Sequence, residues 1–276
     1  MAEEFPTEAV LAATADLDQR GFEEVVQVIH AEDRRAIAAV GRVLPVLARV
    51  ARSLARVLER GGRWFNVGAG TSGRMGVMDA AEVPPTFGLS ADRVQALLAG
   101  GPFAFARAVE GAEDDANAAR ALLRERRLGS GDAVLAISAS GRTPFAIGAL
   151  AEARACGALA LALTCDSHSP LAEAADIAIA TEVGPEVIAG STRMKGGLAQ
   201  KLVLHTLSTT VMVQLGRVEG NLMTNLKPAS QKLRTRAQRI LMALAGVDAE
   251  RASALLDACD GSVQRAIEEA RRGGSL

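Results

Sequence analysis

Two short clusters supply the carboxylates that could do chemistry. Glu82 lies in Asp79-Ala80-Ala81-Glu82-Val83-Pro84-Pro85-Thr86-Phe87, and Glu113 in Glu110-Gly111-Ala112-Glu113-Asp114-Asp115. Two carboxylates in different surroundings can act as the acid and the base of a proton-transfer reaction. On composition alone, both clusters also read as solvated loop charge. The remaining polar clusters are turns rich in glycine and hydroxyls. Gly68-Ala69-Gly70-Thr71-Ser72-Gly73-Arg74 is the first, and Ser138-Ala139-Ser140-Gly141-Arg142-Thr143-Pro144 the second. Each follows an apolar run and precedes a helical pattern, where backbone N–H groups and hydroxyls can receive an anion. A third turn, Gly190-Ser191-Thr192-Arg193-Met194-Lys195, follows Glu182-Val183-Gly184-Pro185-Glu186.

Each turn has a bland alternative. Ser138 to Thr143 can cap a helix, and so can Ser191 or Thr192. Glu186 and Lys195 are candidates to face a ligand. Arg74 and Arg142 either add charge to the site or are solvated residues on first helical turns. The first turn matches G-x-G-x-x-G, the dinucleotide pattern. That pattern also needs an acidic residue about 20 positions on, at the end of the second strand. Here that strand ends in Gly100-Gly101, so a nucleotide is rejected and no cofactor is expected. The three histidines have no metal-ligand spacing and no metal is expected. His30 and His168 read as helix-end or loop residues, and His205 as a satisfied core histidine. Cys156, Cys165 and Cys259 read as buried free thiols.

The elements that must position these clusters alternate. Strands are expected at Arg63–Val67, Val94–Ala99, Ala133–Ile137, Leu159–Thr164 and Ile177–Ala180. Helical patterns lie between them, including Phe103–Arg127, broken near Glu110-Gly111, and Thr143–Cys156. Apolar runs without alternation suit strands buried on both faces. The pattern predicts a three-layer α/β/α domain on a mainly parallel five-stranded sheet. Helices precede it up to about Val50, with a break at Pro45. Glu82 should sit where the first post-turn helix ends, ahead of Pro84-Pro85. Ser191–Leu215 reads as a long apolar helix, either deep core or a subunit contact. Gln231–Ala245 reads as a basic amphipathic helix, and Asp248–Arg272 as two small helices around Asp260-Gly261. Domain boundaries are expected at 1–53 (helical), 54–217 (the α/β domain) and 218–276 (helical).

The chain is 49% hydrophobic with a net charge of −1, which suits a compact fold and gives no basic field for nucleic acid. No apolar run approaches the length of a membrane span. Met1 to Phe5 lacks the basic start of a signal peptide, so a cytoplasmic location is expected.

Taken in order, the clusters resemble the N-acetylmuramic acid 6-phosphate etherases, bacterial enzymes on the sugar isomerase (SIS) fold. The likeness rests on Gly68–Arg74, Asp79–Thr86, Glu110–Asp114, Ala139–Pro144 and Gly190–Lys195, and runs from Thr7-Glu8 into the tail. Two positions depart from the family pattern: Leu11 where an asparagine is usual, and Val83 where a cysteine is common. The resemblance implies cleavage of the lactyl ether of N-acetylmuramic acid 6-phosphate, giving N-acetylglucosamine 6-phosphate and D-lactate. It implies Glu82 as the acid on the lactate oxygen, later activating water, and Glu113 as the base at C2. It implies Gly70, Thr71, Ser72, Gly73, Ser138, Ser140, Gly141, Thr143, Glu186, Ser191 and Lys195 around the sugar phosphate, and a homodimer. Two other readings share the fold: an aldose–ketose isomerase, and a non-catalytic sugar-phosphate regulator. The regulator needs the turns but no acid–base pair.

Overall fold

The structure is a computed structural model describing residues 5–226, 228 and 230–273. The Met1–Glu4 part of the N-terminal reading lies outside the described residues. The chain divides into two compact units, Met1–Ala80 with Asp92–Thr209, and Ala81–Ala91 with Thr210–Leu276.

The first unit is built on a five-stranded sheet. Its strands are β1 (Trp64–Gly68), β2 (Val94–Leu98), β3 (Ala133–Ile137), β4 (Leu159–Thr164) and β5 (Ile177–Ala180). They lie in the order β2-β1-β3-β4-β5, all parallel, within a residue of the strand limits read from the apolar runs. Phe65, Val67, Val134, Ala136, Ala160 and Ala162 face α5 (Ala116–Glu125) and α6 (Pro144–Ala155), whose Leu123, Phe145, Ala149 and Leu150 close one core layer with Leu171 of the short α7 (Pro170–Ala174). The intervening Trp64, Asn66, Leu135, Ile137, Leu161 and Leu163 are also buried, so both faces of the sheet are covered. Two helices precede β1: α1 (Phe22–Arg42) and α2 (Leu44–Glu59), the latter packing on β1 and β5. The break falls at Val43 because Pro45 sits in the first turn of α2, where a missing N–H costs nothing.

The strand register places the site. Gly68 pairs with Ile137, and Ile137 with Leu163, so the turns after β1, β3 and β4 emerge at one edge. The chain leaves β1 toward β2 and leaves β3 toward β4, in opposite directions along the sheet. The crevice between the ends of β1 and β3 is therefore the switch point where ligands of open α/β sheets bind.

Four sequence expectations need correction. The helix after β1, α3 (Gly70–Phe87), does not end ahead of the prolines but contains Pro84 and Pro85. Two N–H donors are lost, yet Val83 and Phe87, one turn apart, are both buried, and Gly88, at φ +64°, donates its N–H to the Pro84 carbonyl at 2.9 Å. Burial of one face outweighs the lost bonds. The predicted Phe103–Arg127 helix is much shorter in its first half. Only α4 (Phe103–Ala106), a 3-10 turn at Ala112–Asp114 and α5 are helical. Gly111, at φ +71°, redirects the chain before that turn. The long apolar helix, α8 (Lys195–Gln214), starts four residues later than expected, so neither Ser191 nor Thr192 caps it. Finally, His30 lies inside α1, and His205 is exposed rather than core, its Nδ1 2.7 Å from the Lys201 carbonyl oxygen. Thr209 and Val213 share that exposed stripe at i,i+4 spacing, which the apolar composition of α8 conceals.

In the second unit, α9 (Gln231–Ala245), α10 (Ala249–Ala258) and α11 (Val263–Gly273) close on Leu226, Ile240, Leu241, Leu255, Leu256, Val263 and Ile267. Ser230 caps α9 through the Leu233 N–H (3.3 Å), and Asp248 caps α10 through the Arg251 N–H (2.8 Å). Among the described residues, no helix is long and apolar enough to cross a membrane.

Candidate active site

The first turn is the opening turn of α3 itself. Gly73 donates its N–H to Ala69 at 3.0 Å, so the N–H groups of Gly70, Thr71 and Ser72 have no partner within the helix. Gly73 is required by proximity: a Cβ there would lie 2.4 Å from the Gly68 carbonyl oxygen and 2.5 Å from a Leu98 methyl. The absence of a side chain lets the helix start against the strand end, as in glycine-rich turns known to hold phosphates. Ser72 is buried and Thr71 half-buried.

The second turn is a hydroxyl cluster. Ser138 Oγ lies 2.8 Å from Thr143 Oγ1 and 3.4 Å from Ser140 Oγ, and it accepts the Gly141 N–H at 3.0 Å. Ser140 Oγ accepts the Arg142 N–H at 3.2 Å. Gly141 has φ +66°, and a Cβ would lie 2.1 Å from Ser169 Oγ, so any other residue would open the turn. Arg142 is not simply solvated. Its Nη1 donates to Asp166 Oδ2 (2.6 Å) and to the Ser140 carbonyl (2.9 Å), and its guanidinium stacks on the Phe5 ring at 3.9 Å. Asp166, just past β4, escaped the sequence reading. Its signal was position, one more polar residue at the end of an apolar strand.

The third turn reaches the same edge. A Cβ on Gly197 would lie 3.3 Å from Thr71 Cγ2, and one on Gly196 would lie 3.8 Å from Ala139 Cβ. The start of α8 therefore lies beside both other turns. The two charged residues expected to face a ligand there have their partners inside the protein. Lys195 is 1% exposed, and its Nζ donates to Glu32 Oε2 at 2.5 Å. The Glu186 carboxylate is equally buried and receives the N–H groups of Lys195 and Gly196. Burial pushes the Glu186 carboxyl above the usual carboxylate range, against those two N–H groups and the Lys195 charge, with Asp33 adding to the rise. Ser191 is half-buried, and its N–H donates to the Ile188 carbonyl at 3.0 Å.

Glu113 lines a cleft of about 160 Å³ together with Gly70, Arg74, Ala99, Glu110 and Gly111. It is exposed, and its carboxylate has no hydrogen-bond or ion-pair partner among the described residues. The cleft thus joins the start of α3 to an exposed carboxylate. Glu82 belongs to the other unit, in the part of α3 beyond Ala80. It is exposed and likewise unpartnered among the described residues. The three cysteines are free thiols, Cys165 and Cys259 buried and Cys156 half-buried. Cys165, beneath the second and third turns, has its thiol pushed up to about 11 by burial.

Comparison with known proteins settles the family. The chain is 48% identical to an N-acetylmuramic acid 6-phosphate etherase of Pectobacterium atrosepticum over 92% of its length and 84% of that protein. It belongs to the N-acetylmuramic acid 6-phosphate etherase family. A second member, from Symbiobacterium thermophilum, is 47% identical over 95% of this chain and 87% of its own. Within this chain, residues 46–154 match the glucokinase regulatory protein N-terminal SIS domain, and residues 117–210 match the SIS domain. Among solved structures, a phosphoheptose isomerase from Neisseria gonorrhoeae superposes with a TM-score of 0.51 at 18% identity. The match covers 69% of this chain and 98% of that one, a likeness of fold. The three-layer fold expected from the alternating strands and helices, and the SIS fold implied by the resemblance, are therefore confirmed.

Proposed function

We propose that the crevice at the ends of β1 and β3 binds N-acetylmuramic acid 6-phosphate, and that this chain cleaves its D-lactyl ether. The observation that carries this is that Glu113, without a partner among the described residues, lines the same cleft as Gly70, where the first N–H groups of α3 have no partner within the helix. A base beside an anion site suits a substrate with a phosphate and an acidic C–H. Gly70, Thr71, Ser72 and Gly73 on the first turn, with Ser138, Ser140, Gly141 and Thr143 on the second, are assigned to the phosphate and sugar. Ser191 is assigned to the outer wall. Glu186 and Lys195 support that wall from beneath.

In the ring-opened sugar, the C2 proton is α to the aldehyde. Glu113 removes it, and the electron pair forms the C2–C3 double bond as the C3–O bond breaks. Glu82 gives a proton to the departing lactate oxygen. Water, activated by Glu82, then adds its oxygen to C3 while C2 regains a proton from Glu113. The sum is one water consumed, with N-acetylglucosamine 6-phosphate and D-lactate formed. Each acid–base group of this kind contributes about 10²–10⁴-fold. No step requires a cofactor.

The assembly we assign by family resemblance is a homodimer in the cytoplasm, with the exposed stripe of α8 as a candidate contact. Residues 54–217 are assigned as the sugar-phosphate domain, between helical segments 1–53 and 218–276. The test is Glu113→Gln. It should abolish exchange of the C2 proton with solvent while N-acetylmuramic acid 6-phosphate still binds. Undiminished exchange would remove Glu113 as the base.

A further inference from the structure

Arg74 follows Gly73 on the first turn of α3 and lines the cleft that holds Glu113. Its guanidinium points at backbone. Nε donates to the carbonyl oxygens of Ala104 (2.9 Å) and Phe105 (3.0 Å), and Nη2 lies 3.4 Å from that of Arg107. One planar fork thus gathers three carbonyls from the end of α4, a use to which a lysine ammonium is poorly suited.

The segment it gathers has few other ties. Phe103, Phe105 and Val109 are 85%, 49% and 45% exposed, and Ala104 alone among the apolar side chains of α4 is buried. No regular element spans Arg107–Gly111. Both ends are fixed. Gly100 and Gly101, at φ +79° and +71°, turn the chain out of β2, with the Gly101 carbonyl receiving the Ala104 N–H at 3.0 Å. Downstream, Ala112 packs on the core, and Asp115 caps α5 through the N–H groups of Asn117 and Ala118. Between those anchors, Val109 lies against Gly100, and the Arg74 fork is, among the described residues, the side-chain hydrogen-bonding tie of the loop leading to Glu113.

We propose that Arg74 is a positioning residue for Glu113. It joins the turn assigned to the phosphate to the loop that carries the base, so that the two keep one spacing. The proposal rests on the etherase reading for its kinetic consequence, and on the hydrogen-bond geometry for its structural one. Reactions that depend on a held geometry lose about 10²-fold for a displacement near 1 Å.

The experiment compares wild type, Arg74→Lys and Arg74→Met on two readouts. The first is D-lactate release from N-acetylmuramic acid 6-phosphate bearing hydrogen or deuterium at C2. Arg74→Met should lower kcat about 10–100-fold, leave KM within a small factor, and raise the deuterium isotope effect as proton removal becomes the slow step. Arg74→Lys should recover part of the rate. A KM increase at unchanged kcat would mean that Arg74 touches the phosphate itself, and a rate loss with an unchanged isotope effect would mean a general structural role. Either outcome overturns the proposal. The second readout is amide hydrogen exchange, which needs no activity. Loss of the fork should speed exchange of the Arg107 and Ala112 amides, which donate to the Phe103 and Val109 carbonyls, by roughly tenfold or more, with β1 and β3 unchanged. Unchanged exchange there overturns the clamp. A wild type that releases no lactate would instead sink the etherase reading and leave exchange to decide the clamp.

Discussion

The Glu186 carboxylate accepts the backbone N–H of Gly196 at 2.8 Å and that of Lys195 at 3.1 Å, one oxygen to each. A buried acid thus begins α8 nine residues along the chain. It fixes where Gly196 and Gly197 lie against Ala139 and Thr71.

Glu186→Ala should cost about 1–3 kcal/mol, the range for leaving buried donors unsatisfied, read by chemical denaturation. The pH dependence has a definite sign. The folded carboxyl is raised, chiefly by burial, so its neutral form is the one the fold favours. Its contribution is full below the ordinary carboxylate range and is lost as pH rises through the folded value. Glu186→Gln cannot ionise. The stability of wild type relative to Glu186→Gln should therefore be greatest at acid pH and fall as pH increases. A difference that grows with pH would contradict this.

Asp132 has the opposite sign. It lies at the start of β3 and accepts the Arg63 N–H (2.8 Å), the Arg63 guanidinium (2.6 Å) and the Gly129 N–H (3.0 Å). Burial would raise its carboxyl, but these donors together outweigh burial and hold it below the usual range. Its contribution is present at neutral pH and is lost as pH falls through the folded value. Asp132→Asn should cost about 1.5–3 kcal/mol at pH 7. That cost should shrink toward the acid limit, measured by denaturant titration at several pH values. A cost independent of pH would mean that the charge contributes nothing.

The two hydroxyl turns predict a shared ligand. Ser72→Ala combined with Ser140→Ala should weaken binding of N-acetylmuramic acid 6-phosphate at least about tenfold, since each hydrogen bond to a charged group is worth about 1.5–3 kcal/mol. Circular dichroism should be unchanged. Calorimetry showing wild-type affinity would place the phosphate elsewhere.

How much of this was legible in the chain depended on whether the signal was local. The strands were, because Ala133–Ile137 and Leu159–Thr164 are unbroken apolar runs that leave little alternative. The glycine turns were legible for the same reason, each standing directly after such a run. The course of α3 was not. Pro84-Pro85 is a local stop signal, and burial of Val83 and Phe87 overrides it. The duties of Lys195 and Glu32 were also hidden, since 163 residues separate them. By residue type alone, they suggest a ligand contact and a solvated helix face. Arg74 reads in the sequence as charge or solvent-facing, because nothing local shows that the carbonyls of residues 104–107 converge on it.

The central claim is elimination followed by hydration, and one measurement tests it directly. N-acetylmuramic acid 6-phosphate is incubated in H₂¹⁸O with wild type and with Glu82→Gln, and D-lactate and N-acetylglucosamine 6-phosphate are analysed by mass spectrometry. Wild type should release lactate free of ¹⁸O and place the label at C3 of the sugar. Glu82→Gln should release lactate at least about 10²-fold more slowly. Label in the lactate hydroxyl would mean cleavage on the other side of the ether oxygen, and would contradict the account.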